Sequence, residues 1–390
     1  MSTAAAMRAF RGPALFSFGF RPFFFFGAVW AALATPIWLV AFTQGGALAD
    51  LGIDLAWHTH EMIFGFVGAI IAGFLLTAVP NWTGRLPVVG PPLAALFGLW
   101  LAGRVGMFLA PSLGGWTLAF DLLFLFTFSG LIWREVLAGR NWRNLPVAMM
   151  VSLFAAAAAG HTLGGDSGLG LFLRAGLAAV AMMLALIGGR ITPSFTRNWQ
   201  LKRQGPLPAT AGGEFDRLVL MATSFALIVW TVQPSGPVAS AALLIASLLN
   251  LLRLGRWRGW RTTAEPLVAI LHVGYLWLPI ALGLLGLAAG PWPEFQTAGV
   301  HALTAGAMGV MILAVMTRAS RGHTGRPLTA GWGTVIIYAL VNIAALARVM
   351  AGLWPEHMVP ALIVATSAWS AAFGGFALAY GPMLLRPRAT

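Results

Sequence analysis

The sequence predicts an all-α fold, a polytopic membrane bundle of about twelve transmembrane helices. Of 390 residues, 59% are hydrophobic and only 9% are charged. That is the composition of a chain whose helices face lipid rather than water. Apolar runs long enough to cross a bilayer recur twelve times, and the basic residues fall in alternate loops between them. Such alternation is the mark of a multi-pass protein with one electropositive side.

The twelve runs are Phe23–Phe42, Trp57–Val79, Pro92–Ala110, Trp116–Trp133, Leu145–Leu163 and Leu169–Ile187, then Leu218–Val232, Val238–Leu252, Leu267–Ala288, Phe295–Met316, Val335–Leu353 and Met358–Leu378. The seventh and eighth are short. All of the 24 basic residues except Arg104, Arg174 and Arg348 fall on one side. The opposite loops hold Arg174 and acids such as Asp50, Asp54, Asp166, Glu294 and Glu356. Both termini are therefore expected in the cytoplasm. No cleavable signal peptide is expected, because Arg8, Arg11 and Arg21 precede a first apolar run of full spanning length.

An internal repeat is legible within one integral membrane domain, residues 1–390. His60 precedes Thr83-Gly84-Arg85 by the spacing at which His301 precedes Thr324-Gly325-Arg326. Gly65 and Gly68 match Gly306 and Gly309, and Arg104 stands before Pro111 as Arg348 stands before Pro355. Pro22, Pro146 and Pro266 open four-span blocks, placing repeats at 16–140, 141–261 and 262–390.

Several chemistries are excluded. With no cysteine there is no disulfide, iron–sulfur cluster, thiolate ligand or haem attached through Cys-x-x-Cys-His, so any haem is expected to be non-covalent and held by histidine. The net charge of +13 is spread over alternate loops and is no nucleic-acid signature. No glycine-rich nucleotide loop, Ser-His-Asp order or long soluble domain stands out.

The densest chemistry lies in Trp57-His58-Thr59-His60-Glu61-Met62, at the outer mouth of the second run. Ionisable groups there are costly and so are functional candidates. On an α-helix His58, Glu61 and Met62 share a face and His60 points nearly opposite. The two histidines would then not share a metal unless the helix unwinds. Imidazole suits copper and haem iron, which makes His60, His301, His58 and His161 the candidate metal ligands. His272, in the inner half of its run, serves a second cofactor site or a hydrogen-bonded core position. Arg104 and Arg348 clamp haem propionates, pair with Asp121 or Glu61 to hold helices together, or snorkel outward. Glu61, at a helix start where a carboxylate is favoured, is the candidate catalytic residue, orienting a ligand or relaying protons. His323 and His357 are expected to be solvated, and Met62, Met308 and Met311 to be packing. The stretches Pro80–Arg85, Thr192–Trp199 and Thr317–Arg326 are expected to end their helices in turns.

Six stretches resemble the NnrS family of bacterial inner-membrane proteins: Phe18–Phe24, His58–Gly65, Gly73–Gly84, Gly189–Thr196, His301–Thr304 and Gly322–Leu328. The likeness runs over essentially the whole chain. It implies haem and copper as cofactors, an inner-membrane location, and a part in the response to nitric oxide. The partners expected are membrane lipid, nitric oxide or nitrosylated iron, and an electron donor the sequence does not name. Two other functions also suit twelve spans with internal repeats, a secondary transporter and a non-catalytic nitric oxide sensor or metal store.

Overall fold

Every described element of the computed structural model is helical, and twelve helices are long and apolar enough to cross a membrane. The structure describes residues 12–44, 48–164, 168–205 and 207–388. Arg8, Arg11 and Asp166, used above in the loop-charge pattern, lie outside the described residues. The spans are α1 (Phe20–Thr43), α2 (Leu55–Thr83), α3 (Pro91–Leu113), α4 (Gly115–Ala138), α5 (Trp142–Leu163) and α6 (Leu171–Lys202), followed by α7 (Glu214–Val232), α8 (Pro237–Arg261), α9 (Pro266–Ala289), α10 (Pro293–His323), α11 (Trp332–Leu353) and α12 (Pro355–Leu385). The protein is thus a multi-pass membrane protein.

Local chemistry starts and stops these helices. The Asp54 carboxylate accepts from Trp57 N at 2.8 Å and caps the start of α2. Proline opens α3, α8 and α9, where its missing N–H costs nothing. Gly84, with φ 72°, ends α2 in the left-handed conformation that a side chain would strain.

Two helices run further than the sequence pattern suggests. The stretch Thr192–Trp199 does not turn: α6 continues through Pro193 to Lys202. α10 stays helical to His323 and turns at Thr324–Gly325, so the first and third of the expected turn stretches do end their helices and the second does not. The seventh and eighth spans also extend beyond their apolar cores, taking in Asp216 and Arg253. A charge therefore did not mark the end of either helix.

Three spans carry a π-helical stretch among the described residues. Glu61–Val67 in α2, Leu184–Gly188 in α6 and Ala302–Val310 in α10 are π-helical. These three are the second spans of the four-span blocks expected from the sequence. A π-stretch is an insertion in the α-helical register and is frequent at functional sites.

The chain divides into two compact units. One comprises residues 1–176, 320–326 and 373–390, and the other residues 177–319 and 327–372. In the first, α2 is the interior helix, with 78% of its apolar window buried against 39% for each of α1, α3 and α4. Its glycines and alanines admit close neighbours: Gly73 lies against Phe23 and Phe24, and Gly68 against Leu125 and Phe154. In the second unit α9 and α10 are interior, at 67% and 72%, while α7 and α8 stand at 33%.

Within the first unit, Arg21 at the start of α1 ties down the end of α12. Its Nη1 donates to the carbonyl oxygens of Leu384 at 2.8 Å and Arg386 at 2.6 Å. A buried cation at a helix C-terminus satisfies carbonyls that have no partner in their own helix. Replacing Arg21 by Met should lower unfolding free energy by about 1.5–3 kcal/mol. Denaturant titration of tryptophan fluorescence in detergent would measure it.

Candidate functional site

The π-helical turn of α2 places His60 and Glu61 in one closed ring of charges with residues of α3 and α4. Nη1 of Arg104 donates to Oε2 of Glu61 at 2.8 Å, and its Nη2 donates to Oδ1 of Asp121. His60 completes the ring: Nδ1 stands 3.2 Å from Oε1 of Glu61 and Nε2 3.2 Å from Oδ2 of Asp121. The second contact is within ion-pair reach but off hydrogen-bond alignment. All four side chains are buried, at 3% exposure or less.

The sequence builds this ring from small details. Gly65, one helical turn beyond Glu61, has no side chain where the guanidinium lies; a Cβ there would overlap Nη1 of Arg104. Trp100, one turn before Arg104 on α3, donates from Nε1 to the Gly65 carbonyl at 2.9 Å and holds the π-turn open. Its ring lies 5.9 Å from the Arg104 guanidinium. The ring holds two acids and one fixed cation, so an imidazolium at His60 would bring its charge to zero.

Aromatic groups surround it. The His161 ring on α5 lies parallel to that of His60, 6.5 Å away, with Phe64 5.7 Å from each. Nε2 of His161 is 3.5 Å from Oγ1 of Thr59. His58 points elsewhere, stacked on Trp38 of α1 at 4.1 Å. The two neighbouring histidines do part company as the helical wheel suggests. Glu61, however, goes with His60 and not with His58, at the residue where the π-helical stretch begins.

The other candidate residues lie in the second unit. His301 is half-buried on α10, with Nδ1 2.8 Å from the carbonyl oxygen of Thr297. That bond puts the proton on Nδ1 and the lone pair on Nε2. Arg348 is half-buried on α11 and has no ion pair or hydrogen bond among the described residues. The sequence at the matching spacings differs from that around Arg104. Ala302 takes the place of Glu61, and Ala365 stands at the spacing from Arg348 that Asp121 keeps from Arg104. The two helices touch where Gly352 packs on the backbone of Ala298. Counting inward from that contact at about 1.5 Å per residue puts His301 and Arg348 within about 2 Å of the same depth.

His272 on α9 is buried, its Nε2 2.8 Å from Oγ1 of Thr196. It borders a polar network that the sequence reading missed. Arg253 pairs through Nε with Asp216 at 2.6 Å, and its Nη1 donates to the Ala185 carbonyl at 2.9 Å and to the Tyr275 hydroxyl at 3.0 Å. Tyr275 donates to Asn250 at 2.7 Å, and Asn250 to Thr223 at 2.8 Å. Arg253 was counted as a loop charge, and Asp216 was not singled out. The available signal was Tyr275, one of only three tyrosines, in the middle of an apolar run.

His357 is solvated, 75% exposed beside Glu356. His323 is not: its ring lies 5.7 Å from Phe18 and 5.4 Å from Phe20, because α10 stays helical and carries it back onto the α1 entry. Met308 and Met311 are buried packing residues.

A model of the NnrS protein family matches residues 14–388. The chain belongs to the NnrS family. No curated protein matches it.

Does this NnrS chain offer a metal or haem site? The ring at His60 does not fit one. Both imidazole nitrogens face carboxylates, and the Arg104 guanidinium already occupies the place between the acids that a cation would take. Among the described residues no three His, Asp or Glu side chains converge on a point that could hold a metal ion. Two cavities of about 1140 and 410 Å³ are lined without a histidine. His301 with Arg348 is the better match: an imidazole with its tautomer set by a backbone carbonyl, level with a guanidinium that no acid holds.

The ring is then first of all a clamp on α2, α3 and α4. Replacing Arg104 by Met leaves two buried acids uncompensated and should cost about 3–5 kcal/mol. The triple variant E61Q/R104M/D121N, which removes the charges together, should recover most of that loss. Denaturant titrations of both proteins check this; an R104M chain as stable as wild type would show that the ring is not what holds the three helices.

Proposed function

We propose that this NnrS-family protein handles nitric oxide, or nitrosylated iron species, in the bacterial inner membrane as part of the nitrosative stress response, with a non-covalent b-type haem near the His301–Arg348 pair. The observation that carries the placement is Arg348, a half-buried guanidinium without an acid partner, at the depth of an imidazole whose Nε2 lone pair is set by Thr297. His301 would hold the iron, and Arg348 would bind a propionate carboxylate. When bound, haem supplies a metal that takes diatomic ligands. This chain's part is to fix the imidazole tautomer, neutralise the propionate and keep water out with the apolar helices around it. Nitric oxide, small and apolar, reaches such a site through lipid and needs no polar channel. Copper, the second metal the likeness implies, has no comparable donor set, and no residues are proposed for it.

A secondary transporter is the second reading. The π-helical interruptions in α2, α6 and α10 favour it, since broken helices line many transport sites. The visible spectrum of the protein purified after haem supply separates the two. A Soret band that shifts on adding nitric oxide supports the haem reading; a featureless spectrum removes it. Replacing His301 by Ala should abolish the band, and His357→Ala should leave it unchanged. Replacing Arg348 by Ala should weaken haem retention at least tenfold, the value of a charge-assisted hydrogen bond. If H301A keeps a full, unshifted band, the ligand is another histidine.

The basic loops favour an orientation with both termini in the cytoplasm and the His58–Glu61 stretch towards the periplasm. A periplasm-active reporter should be silent when fused at Thr390 and active near Gly46. Activity at Thr390 would reverse the orientation.

A further inference from the structure

Between α3 and α4 the first unit is not closed. A groove of about 1140 Å³ runs between them, apolar along its length and charged at one end only. On α3 its wall is formed by Pro92, Leu96 and Leu99 together with the small residues Ala95, Gly98 and Ala102. A Cβ at position 98 would meet nothing within 4 Å. On α4 the groove extends from Phe120 to Arg134, about 21 Å at 1.5 Å per residue. One leaflet of the hydrocarbon core is about 15 Å deep, half of the whole.

The charged end has a definite construction. Glu135, 5% exposed, is held by two arginines: Nε of Arg85 lies 2.7 Å from its Oε2, and Nη2 of Arg134 2.7 Å from its Oε1. Both carboxylate oxygens are thus taken, and the trio keeps one positive charge. The two guanidinium groups are 42% and 55% exposed at the groove mouth. Each has five N–H donors, more than Glu135 can accept. The mouth opens on the Arg-rich side of the chain, where anionic lipid gathers if that side is cytoplasmic.

We propose that this groove is a binding site for an anionic phospholipid, with one acyl chain between α3 and α4 and the phosphate between Arg85 and Arg134. A basic pocket between spans on that side recognises acidic headgroups, and an apolar channel deeper than one leaflet accommodates a whole chain. A free phosphate ion gains nothing from the apolar groove. A zwitterionic lipid brings an ammonium group for which the mouth has no spare acid, because Glu135 is engaged.

The test is native mass spectrometry of the full chain in detergent micelles, titrated in turn with phosphatidylglycerol, phosphatidylcholine and inorganic phosphate. Wild type should retain phosphatidylglycerol at least about fivefold better than phosphatidylcholine. Replacing Arg134 by Gln should reduce phosphatidylglycerol retention about fivefold, the value of one arginine at an anionic headgroup. Gly98→Phe fills open space and should reduce retention of both lipids, with helix content and elution volume unchanged. If G98F does not fold, R134Q, an exposed substitution, still decides the matter. Equal retention of the two lipids by wild type would overturn the proposal. So would phosphatidylglycerol retention unchanged in R134Q, or displacement of phosphatidylglycerol by inorganic phosphate.

Discussion

A guanidinium inside a membrane bundle has no water to turn to, and the protein must answer its charge within reach of the side chain. Arg104 is answered by Glu61 and Asp121. Much of the first unit follows from that demand. The acids come from different helices, so satisfying one cation fastens α2 and α4 to α3. The cation lies against α2, so position 65 must be glycine. The helix there is π-helical, and Trp100 bonds the carbonyl at the turn.

The same demand is met differently elsewhere in the chain. Arg253 has a single acid, Asp216, and makes up the rest from the Ala185 carbonyl and the Tyr275 hydroxyl. It too presses on a glycine beside a π-helical stretch, with guanidinium nitrogens 2.5 Å from where a Cβ of Gly189 would be. Arg348 has neither acid, since alanines stand at both matching positions. One chain thus holds an arginine with two acids, an arginine with one and an arginine with none among the described residues. The closed ring is the best built of the three, and for that reason the least able to take a ligand.

The helix count, the membrane class and the family were legible in the sequence because hydropathy and loop charge are local properties. The pairing of Arg104 with Glu61 or Asp121 was legible as one of three alternatives, since few acids were available to meet a buried cation. The ring itself was not, because the α-helical wheel groups Glu61 with His58 and Met62 and sets His60 away from that face, whereas Glu61 meets His60. Arg253 was lost for a related reason: a charge near an apolar run reads as a loop, yet α8 continues past it. His323 was misjudged because Gly322 and Gly325 suggest a turn, whereas the helix persists and carries the ring onto Phe18 and Phe20. His301 and Arg348 were legible singly, through the repeat; the missing acids at Ala302 and Ala365 mattered only once the ring at Arg104 was known.

The π-helical stretches also bear on how such a chain can change over time. Each carries one residue more than an α-helix would need for the same rise. Removing a single residue between Glu61 and Val67 would let the span relax to α-helix and rotate everything beyond it by about 100° relative to Leu55–His60. Gly68 and Gly73 would then turn away from Phe154 and Phe23, and the hydrophobic thickness of the span would scarcely alter. A deletion that costs nothing in membrane insertion would therefore be ruinous for packing. In α2, α6 and α10, gaps should be far rarer than substitutions, while in the outer helices α7 and α8, with no such insertion to lose, single-residue gaps near the ends carry only the ordinary cost of a shorter helix.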